Sequence, residues 1–475
     1  MKPLRLFLAN VGKRQADYPL VTPPLGIMSL AAYIRSRFKV SLRLVNQKLE
    51  NFANDRLIRL AVDFQADIVG LSVTSATAHN LGYLTEHIRT MLPKALIIIG
   101  GAHVSAFGAR ALNNTRADAA VSGEGEIALE KIIRAWLEGG SLDEVPGLHR
   151  RAADGQIVTN PGSIPFIKDI DSLPPPAYDL IDLPAYWKRQ SMPPMPHRRY
   201  ASLFSSRGCP YRCIYCHRIF GDRFRFHSAE RIADEMAWLQ KTYRIADFEF
   251  LDDIFNLNKQ RIFDLSTLIH ARGLTTKLVF PNGVRTDIFT KDELDALMSM
   301  GMYFASFALE SGSPRIQKLI GKNLNIEKFL ENVRYAVSRG VLANGFAMMG
   351  FPTETEQDLR QTIDVSCDSA LHTISYFTTT PFPNTRMYSM AKEKFPEKLK
   401  NIKYDDMEYA GLTLNLSDVP DETLYYYQRK ANRRFYLNPK RIGRLLLAYP
   451  QPYKLPLYAP IFLKRSLKGI WQGRR

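Results

Sequence analysis

Cysteine is scarce. Four occur in 475 residues, and three of these fall between Cys209 and Cys216, so no disulfide framework is available. The clustering points instead to metal chemistry in a reducing compartment. The fourth, Cys367, sits in Asp364-Val365-Ser366-Cys367 on an expected helix and reads as a small buried hydrophobe. Long apolar runs are missing too, and none approaches the length needed to span a bilayer. Met1-Lys2-Pro3-Leu4-Arg5 leads straight into a strand-like run without a cleavage-site pattern, so the chain is expected in the cytoplasm. There is no G-x-x-x-x-G-K loop and no complete G-x-G-x-x-G, which tells against nucleotide hydrolysis and ordinary dinucleotide binding. Acids are absent from Gln428 to the end, while Lys and Arg recur there and supply most of the net charge of +17.

What is present describes a soluble globular protein, with 45% hydrophobic and 23% charged residues. Its length calls for two or three domains. Residues 1–140 alternate β-rich runs (Leu4–Ala9, Val40–Val45, Asp67–Val73, Ala95–Ile99) with helix-period segments (Leu25–Arg37, Asp55–Phe64, His79–Leu92). That alternation predicts a doubly wound, Rossmann-like α/β domain whose ligand lies at the carboxyl ends of the strands. Those ends carry Ser72, Thr74 and Ser75, then Gly100-Gly101 with His103, and Gly123-Glu124-Gly125-Glu126 after an expected fifth strand at Asp118–Val121. Such glycines fit a binding loop that lets backbone approach a ligand, or simple turns.

Residues 141–200 are punctuated by prolines, among them Pro174-Pro175-Pro176 and Pro193-Pro194, and read as a surface connection between domains. A second βα series fills residues 201–395. Six strand-like runs, from Ala201 to Thr373–Thr379, alternate with helices and predict a partial (β/α)6 barrel. Residues 396–475 form a basic, mainly helical carboxy-terminal region.

The strongest motif is Arg207-Gly208-Cys209-Pro210-Tyr211-Arg212-Cys213-Ile214-Tyr215-Cys216, a C-x3-C-x2-C loop just after the first barrel strand. Three thiolates can hold three irons of a [4Fe–4S] cubane and leave the fourth iron open to a ligand. The competing reading is a Cys3His zinc site with His217 as fourth ligand, although zinc motifs usually present their ligands as two separated pairs.

This loop, with an aromatic residue just before its last cysteine, resembles the signature of radical S-adenosylmethionine enzymes, and the likeness continues along the barrel. It implies that Cys209, Cys213 and Cys216 hold a [4Fe–4S] cluster that cleaves S-adenosylmethionine reductively, fed by an external electron donor of flavodoxin or ferredoxin type. Carried over position by position, Tyr215 packs near the adenine and Asp252-Asp253 receive the methionine ammonium. Glu310 bonds the ribose, Arg285 binds the carboxylate or pairs with Asp287, and Gly345 to Gly350 lie beside the adenine. Pro381-Phe382-Pro383-Asn384-Thr385 resembles the sixth-strand segment, with Asn384 where the family usually has glycine.

Residues 3–138 resemble the cobalamin-binding domain that precedes the barrel in a large subgroup of these enzymes. The likeness rests on Pro23-Pro24-Leu25-Gly26, Asp67-Ile68-Val69-Gly70-Leu71-Ser72, Ile99-Gly100-Gly101-Ala102-His103 and Gly123-Glu124-Gly125-Glu126. It implies Ser72, Thr74, Gly100, Gly101, Gly123 and Glu124 as cobalamin-binding positions. The D-x-H-x-x-G that gives cobalt a histidine elsewhere is absent, Ala9-Asn10-Val11-Gly12-Lys13 standing in its place, and His103 is not expected to ligate cobalt. The expected reaction is methylation of an unactivated carbon (or phosphorus) of a small-molecule acceptor by methylcobalamin, a lipophilic acceptor being one option. Radical oxidative cyclisation or rearrangement is the alternative, and a cobalamin sensor with a structural cluster the non-enzymatic one.

The tail alternates cations with apolar residues at Arg441-Ile442-Gly443-Arg444-Leu445-Leu446-Leu447 and Ile461-Phe462-Leu463-Lys464-Arg465. Two readings fit: peripheral contact with the inner face of a membrane, which would suit a lipophilic substrate, and the favoured one, a solvated helical cap over the barrel mouth. Nucleic acid is not expected as a partner, because charge without an RNA-binding module is weak ground.

Overall fold

Leucine, isoleucine and valine runs buried on both faces build the first sheet. The computed structural model describes residues 3–14, 20–195, 198–400, 402, 404, 414–451 and 453. Its first sheet contains β1 (Leu4–Asn10), β2 (Val40–Asn46), β3 (Ile68–Ser72), β4 (Leu96–Gly100) and β5 (Ala119–Ala120), all parallel. Two antiparallel strands follow at the edge, β6 (His149–Arg151) and β7 (Ile157–Thr159), giving the order β2-β1-β3-β4-β5-β6-β7. The order reverses between β1 and β3, and a crevice at such a switch point is where open parallel sheets bind ligands.

Residues 141–200 are therefore more than a connection. Their first part extends the sheet, because β6 exchanges bonds with the exposed edge of β5. Their proline-rich part straps the two domains together: Tyr178 is fully buried and its hydroxyl donates to the Ser202 carbonyl at 2.7 Å.

The barrel strands are β8 (Tyr200–Leu203), β11 (Asp247–Phe250), β12 (Lys277–Val284), β13 (Met302–Glu310), β14 (Leu342–Met349) and β15 (Thr373–Thr378). All are parallel, in the order β15-β14-β13-β12-β11-β8. No pairing between β15 and β8 occurs among the described residues, so the barrel is open. A short antiparallel pair, β9 (Ser206–Arg207) with β10 (Arg225–Phe226), brackets the cysteine loop. Helix starts follow local capping chemistry, as where Thr290 and Glu293 bond each other's backbone N–H groups.

Outward residues of the strands (Ala343, Ala347, Met349, Ile374) pack against helices in the main core. Inward residues do two things. At the amino ends, Val279, Phe304 and Leu342 close the floor with Met195 and Tyr449. Towards the carboxyl ends, Ala308, Phe346, Met348 and Phe377 are only half-buried and line an open mouth. The helix Pro439–Ala448 belongs to the floor: Leu445 and Ala448 pack there, and Tyr449 donates to the Pro194 carbonyl at 2.8 Å. The helix Pro439–Ala448 thus caps the opposite end from the mouth, whereas Leu399, Leu414 and Leu416 of the same region pack beside the cysteine loop with Ile214 and Phe351. The Ile461–Arg465 segment lies outside the described residues.

Candidate functional site

β8 delivers the chain to the mouth, and a turn at Gly208 starts the cysteine loop. Gly208 has φ +82°, and a Cβ there would lie 2.4 Å from the Arg223 carbonyl oxygen, so only glycine fits. The loop is pinned by the Cys209 N–H to Gly221 at 3.3 Å, the Ile214 N–H to Ile320 at 3.0 Å and the Met387 N–H to Ile214 at 2.9 Å. Cys209 and Cys213 are half-buried, and Cys216 is reachable by solvent. Although its edge meets solvent, protein packed around the Cys216 sulfur, then the neighbouring Cys213 thiol and Asp253, raise that thiol above its ordinary value. Burial raises Cys209 and Cys213 as well. Thiols in such surroundings become thiolates against cationic metal, which is the donor set an iron–sulfur cluster uses. His217 packs edge-on against Phe382 at 4.6 Å. A cubane, which spreads its thiolates over separate corners, fits this loop better than zinc.

Around the loop stand Tyr215, Asp253, Glu310 and Lys322. The Tyr215 ring lies 5.6 Å from Phe351, beside the turn at Gly350. Asp253 is accessible from the mouth, and burial together with the adjacent Asp252 pushes it up to about 6. Glu310 ends β13 with φ +63°, a left-handed backbone unusual outside glycine, and its Oε1 accepts from Lys322 Nζ at 3.1 Å. Lys322 Nζ also donates to the Ala308 carbonyl at 2.7 Å. Gly350 has φ +94°, and its N–H donates at 2.6 Å to Glu354, which a second N–H, from Phe351, also meets.

Three expected positions, Asp252, Arg285 and Gly345, are engaged elsewhere. Asp252 is buried and saturated: it accepts from the Ser205 N–H at 2.7 Å, the Ser205 hydroxyl and the Ser206 hydroxyl, with Arg261 alongside. It holds β8 to β11, while its neighbour Asp253 is open to solvent. Arg285 is locked over the Tyr211 ring, paired with Asp287 and bonded to the Lys322 carbonyl at 2.9 Å. Gly345 faces the helical layer, where a Cβ would come within 2.5 Å of Leu371, so it serves packing. Pro381 is buried at the mouth, its carbonyl accepting from Tyr404 at 2.9 Å. Asn384 adopts φ +64°, the conformation a glycine would take, and its Nδ2 donates to the Ser105 carbonyl of the first domain at 3.2 Å.

In the first domain a cavity of about 240 Å3 opens at the strand ends, lined by Gly26, Leu30, Ser72, Gly100 and Gly101 and roofed by Phe204 and Phe220 of the barrel. Gly101, at φ +94°, would carry a Cβ within 2.7 Å of the Val73 carbonyl oxygen, so the wall there is backbone. An apolar slot with a glycine mouth fits the nucleotide tail of cobalamin. Gly123 shares the rim. Thr74 is exposed and spends its hydroxyl on a turn with Thr77, and Glu124 lines the cavity but is not left free there. Glu124 instead forms a buried charge cluster with Arg225 at 2.6 Å and Arg207 at 3.4 Å, and Arg207 reaches Glu126 at 2.7 Å. Against the burial that opposes its charge, Arg207 and Ser29 hold the Glu126 carboxyl below the usual range. Because Arg207 precedes the cysteine loop directly, this cluster ties the cavity rim to the loop. Arg207, Glu126, Lys322 and Glu354 carried no sequence signal beyond proximity to motifs.

A parallel sheet with a glycine-rimmed slot, joined to an open barrel with three thiols at its mouth, defines a two-cofactor protein. The profile of the "Radical SAM superfamily" matches residues 203–365, and that of the "B12 binding domain" matches residues 15–133. The chain belongs to the radical S-adenosylmethionine enzymes that carry a cobalamin-binding domain, and its cofactors are a [4Fe–4S] cluster, S-adenosylmethionine and cobalamin. It is 29% identical over 451 residues to an uncharacterized methyltransferase of Pyrococcus horikoshii, covering 94% of this chain and 93% of the relative. It is 26% identical to the cytidylyl-2-hydroxyethylphosphonate methyltransferase of Streptomyces wedmorensis, covering 78% of each. Among solved structures, the radical S-adenosylmethionine methyltransferase TsrM of Kitasatospora setae superposes with a TM-score of 0.68 at 19% identity, over 82% of this chain and 76% of that one.

Proposed function

We propose that this enzyme transfers a methyl group from methylcobalamin to an unactivated carbon, or phosphorus, of a small and largely apolar acceptor held in the barrel mouth. The carrying observation is the junction itself, where one buried charge cluster fixes the cobalamin slot against the cysteine loop. When bound, the cluster and S-adenosylmethionine supply a hydrogen-abstracting radical, and methylcobalamin supplies the methyl group. Cys209, Cys213 and Cys216 hold the cluster. Asp253 receives the methionine ammonium, Glu310 the ribose, and Tyr215 with the Gly350 turn flanks the adenine. Lys322, already bonded to Glu310, offers a cation at the carboxylate side in place of Arg285. Ala308, Phe346, Met348 and Phe377 present the acceptor with an apolar wall and limit water around a radical. The first-domain slot is assigned to the cobalamin tail.

The test is metal analysis after anaerobic production with hydroxocobalamin and cluster reconstitution. About four irons and about one cobalt per chain are expected, with 5′-deoxyadenosine formed on reduction. Cys213→Ala should lose iron and deoxyadenosine while keeping cobalt. Iron without cobalt would remove methylcobalamin from the reading, and zinc in place of iron would overturn it.

A further inference from the structure

The floor-capping helix Pro439–Ala448 is apolar on two sides: Leu445 and Ala448 pack into the floor, and other apolar residues face away from it. Its inward face carries a guanidinium: Arg441 is buried and donates to the Leu371, Cys367 and Ser369 carbonyls, which end the helix Glu356–Asp368. Its outward face carries leucines. Leu447 is 90% exposed, with Ile442 and Leu446 exposed beside it, and Leu437, which ends the preceding helix, is 69% exposed. Amphipathic helices on globular proteins normally turn that face to the core, so the arrangement needs a covering phase.

The surroundings state its charge. Lys440 at the start of the helix is exposed, as are Lys430 and Arg433 on the preceding helix, Asp421–Tyr436. Of the nearby acids, Asp364 is paired with Arg434, and Asp368 lies close to the same guanidinium. The remaining sequence adds Lys454, Lys464, Arg465, Lys468, Arg474 and Arg475 without one acid. Apolar side chains beside an excess of cations match the boundary of an anionic bilayer, where leucines enter the acyl region and lysines meet the headgroups. Nucleic acid would use the cations but leave the leucines in water. A second copy would bring the same cations face to face.

We infer that the floor face, through Leu437, Ile442, Leu446 and Leu447, docks peripherally on a membrane containing anionic lipid. This surface is separate from the cofactor sites: the floor is closed by Met195, Val279, Phe304, Leu342 and Tyr449, so the barrel mouth points away from the bilayer. Docking is then an anchor, and the acceptor approaches from the aqueous side or from a carrier.

The experiment uses the full chain, cluster and cobalamin loaded, sedimented with phosphatidylcholine vesicles with and without phosphatidylglycerol. Binding is expected only with phosphatidylglycerol, falling as salt rises. The Leu446→Glu/Leu447→Glu variant should bind about tenfold less or worse, with iron content and deoxyadenosine formation unchanged. Absent sedimentation of the wild type, or equal sedimentation of the variant, overturns the inference. So does a salt-insensitive dimer of the wild type that the variant turns into a monomer without any vesicle binding.

Discussion

Lys322 shows how a functional side chain can lack a motif. Nothing in Gly321-Lys322-Asn323 marks it, yet the fold brings its ammonium to Glu310 and the Ala308 carbonyl, and its charge favours the Cys213 thiolate. Lys322→Ala should weaken S-adenosylmethionine binding by about ten- to a hundredfold, the value of a charge-assisted hydrogen bond, while iron stays bound. Equilibrium dialysis of the cluster-loaded variant measures this, and unchanged affinity would leave Lys322 a purely structural prop. Glu354 is the second such residue. Burial pushes its carboxyl up to about 8, only partly countered by the Gly350 and Phe351 N–H groups. The unfolded chain releases that proton near 4.5, so between the two values the folded state binds more protons and stability falls as pH rises. Glu354→Gln should therefore gain in melting temperature relative to wild type between pH 5 and pH 8. A difference that stays flat across that range means the carboxyl titrates normally.

At the scale of elements, strand and helix order was legible because both halves repeat β-rich runs with helical spacing between them. The strands from Leu4–Asn10 to Thr373–Thr378 fall within a few residues of their expected bounds. What the sequence hid is what contact creates. The hairpin β6–β7 looked like connection because its strands are three residues long and gain a reason to pair only from the edge of β5. Asp252 and Asp253 are neighbours with opposite fates, since alternation along the chain turns one into the Ser205–Ser206–Arg261 pocket and leaves the other at the mouth. Glu124 reads as part of a ligand loop and, while it lines the cavity, it is also the anion of a buried charge cluster. Glu124→Ala would bury the Arg207 and Arg225 cations without it and should cost about 3–5 kcal/mol, read by denaturant unfolding. Because Arg207 leads into the cysteine loop, iron loading should fall with it, and Glu124→Gln should do less harm. Full stability in Glu124→Ala would show that the cluster does not join the domains.

For the whole molecule, the question is whether the two cofactors load independently. The cysteine loop is pinned by the barrel's own backbone, through Ile320 and Met387, whereas the slot is made by the first domain and merely roofed by Phe204 and Phe220. The halves should therefore be separable by a change that fills the slot and touches nothing else. Gly26 offers it: a Cβ there meets no atom within 4 Å, and the residue sits in the helix Leu25–Arg35, where most side chains are favoured over glycine. Gly26→Leu should keep stability and the full iron complement, still release 5′-deoxyadenosine from S-adenosylmethionine, and lose cobalt by about tenfold or more, since side-chain volume displaces the ligand's tail. Methyl transfer would then vanish while radical formation persists. If cobalt is retained in Gly26→Leu, the slot does not house the cobalamin tail and the corrin must be held from the barrel side. If iron is lost together with cobalt, the charge cluster at Arg207 transmits strain across the junction, and the two sites load as one unit.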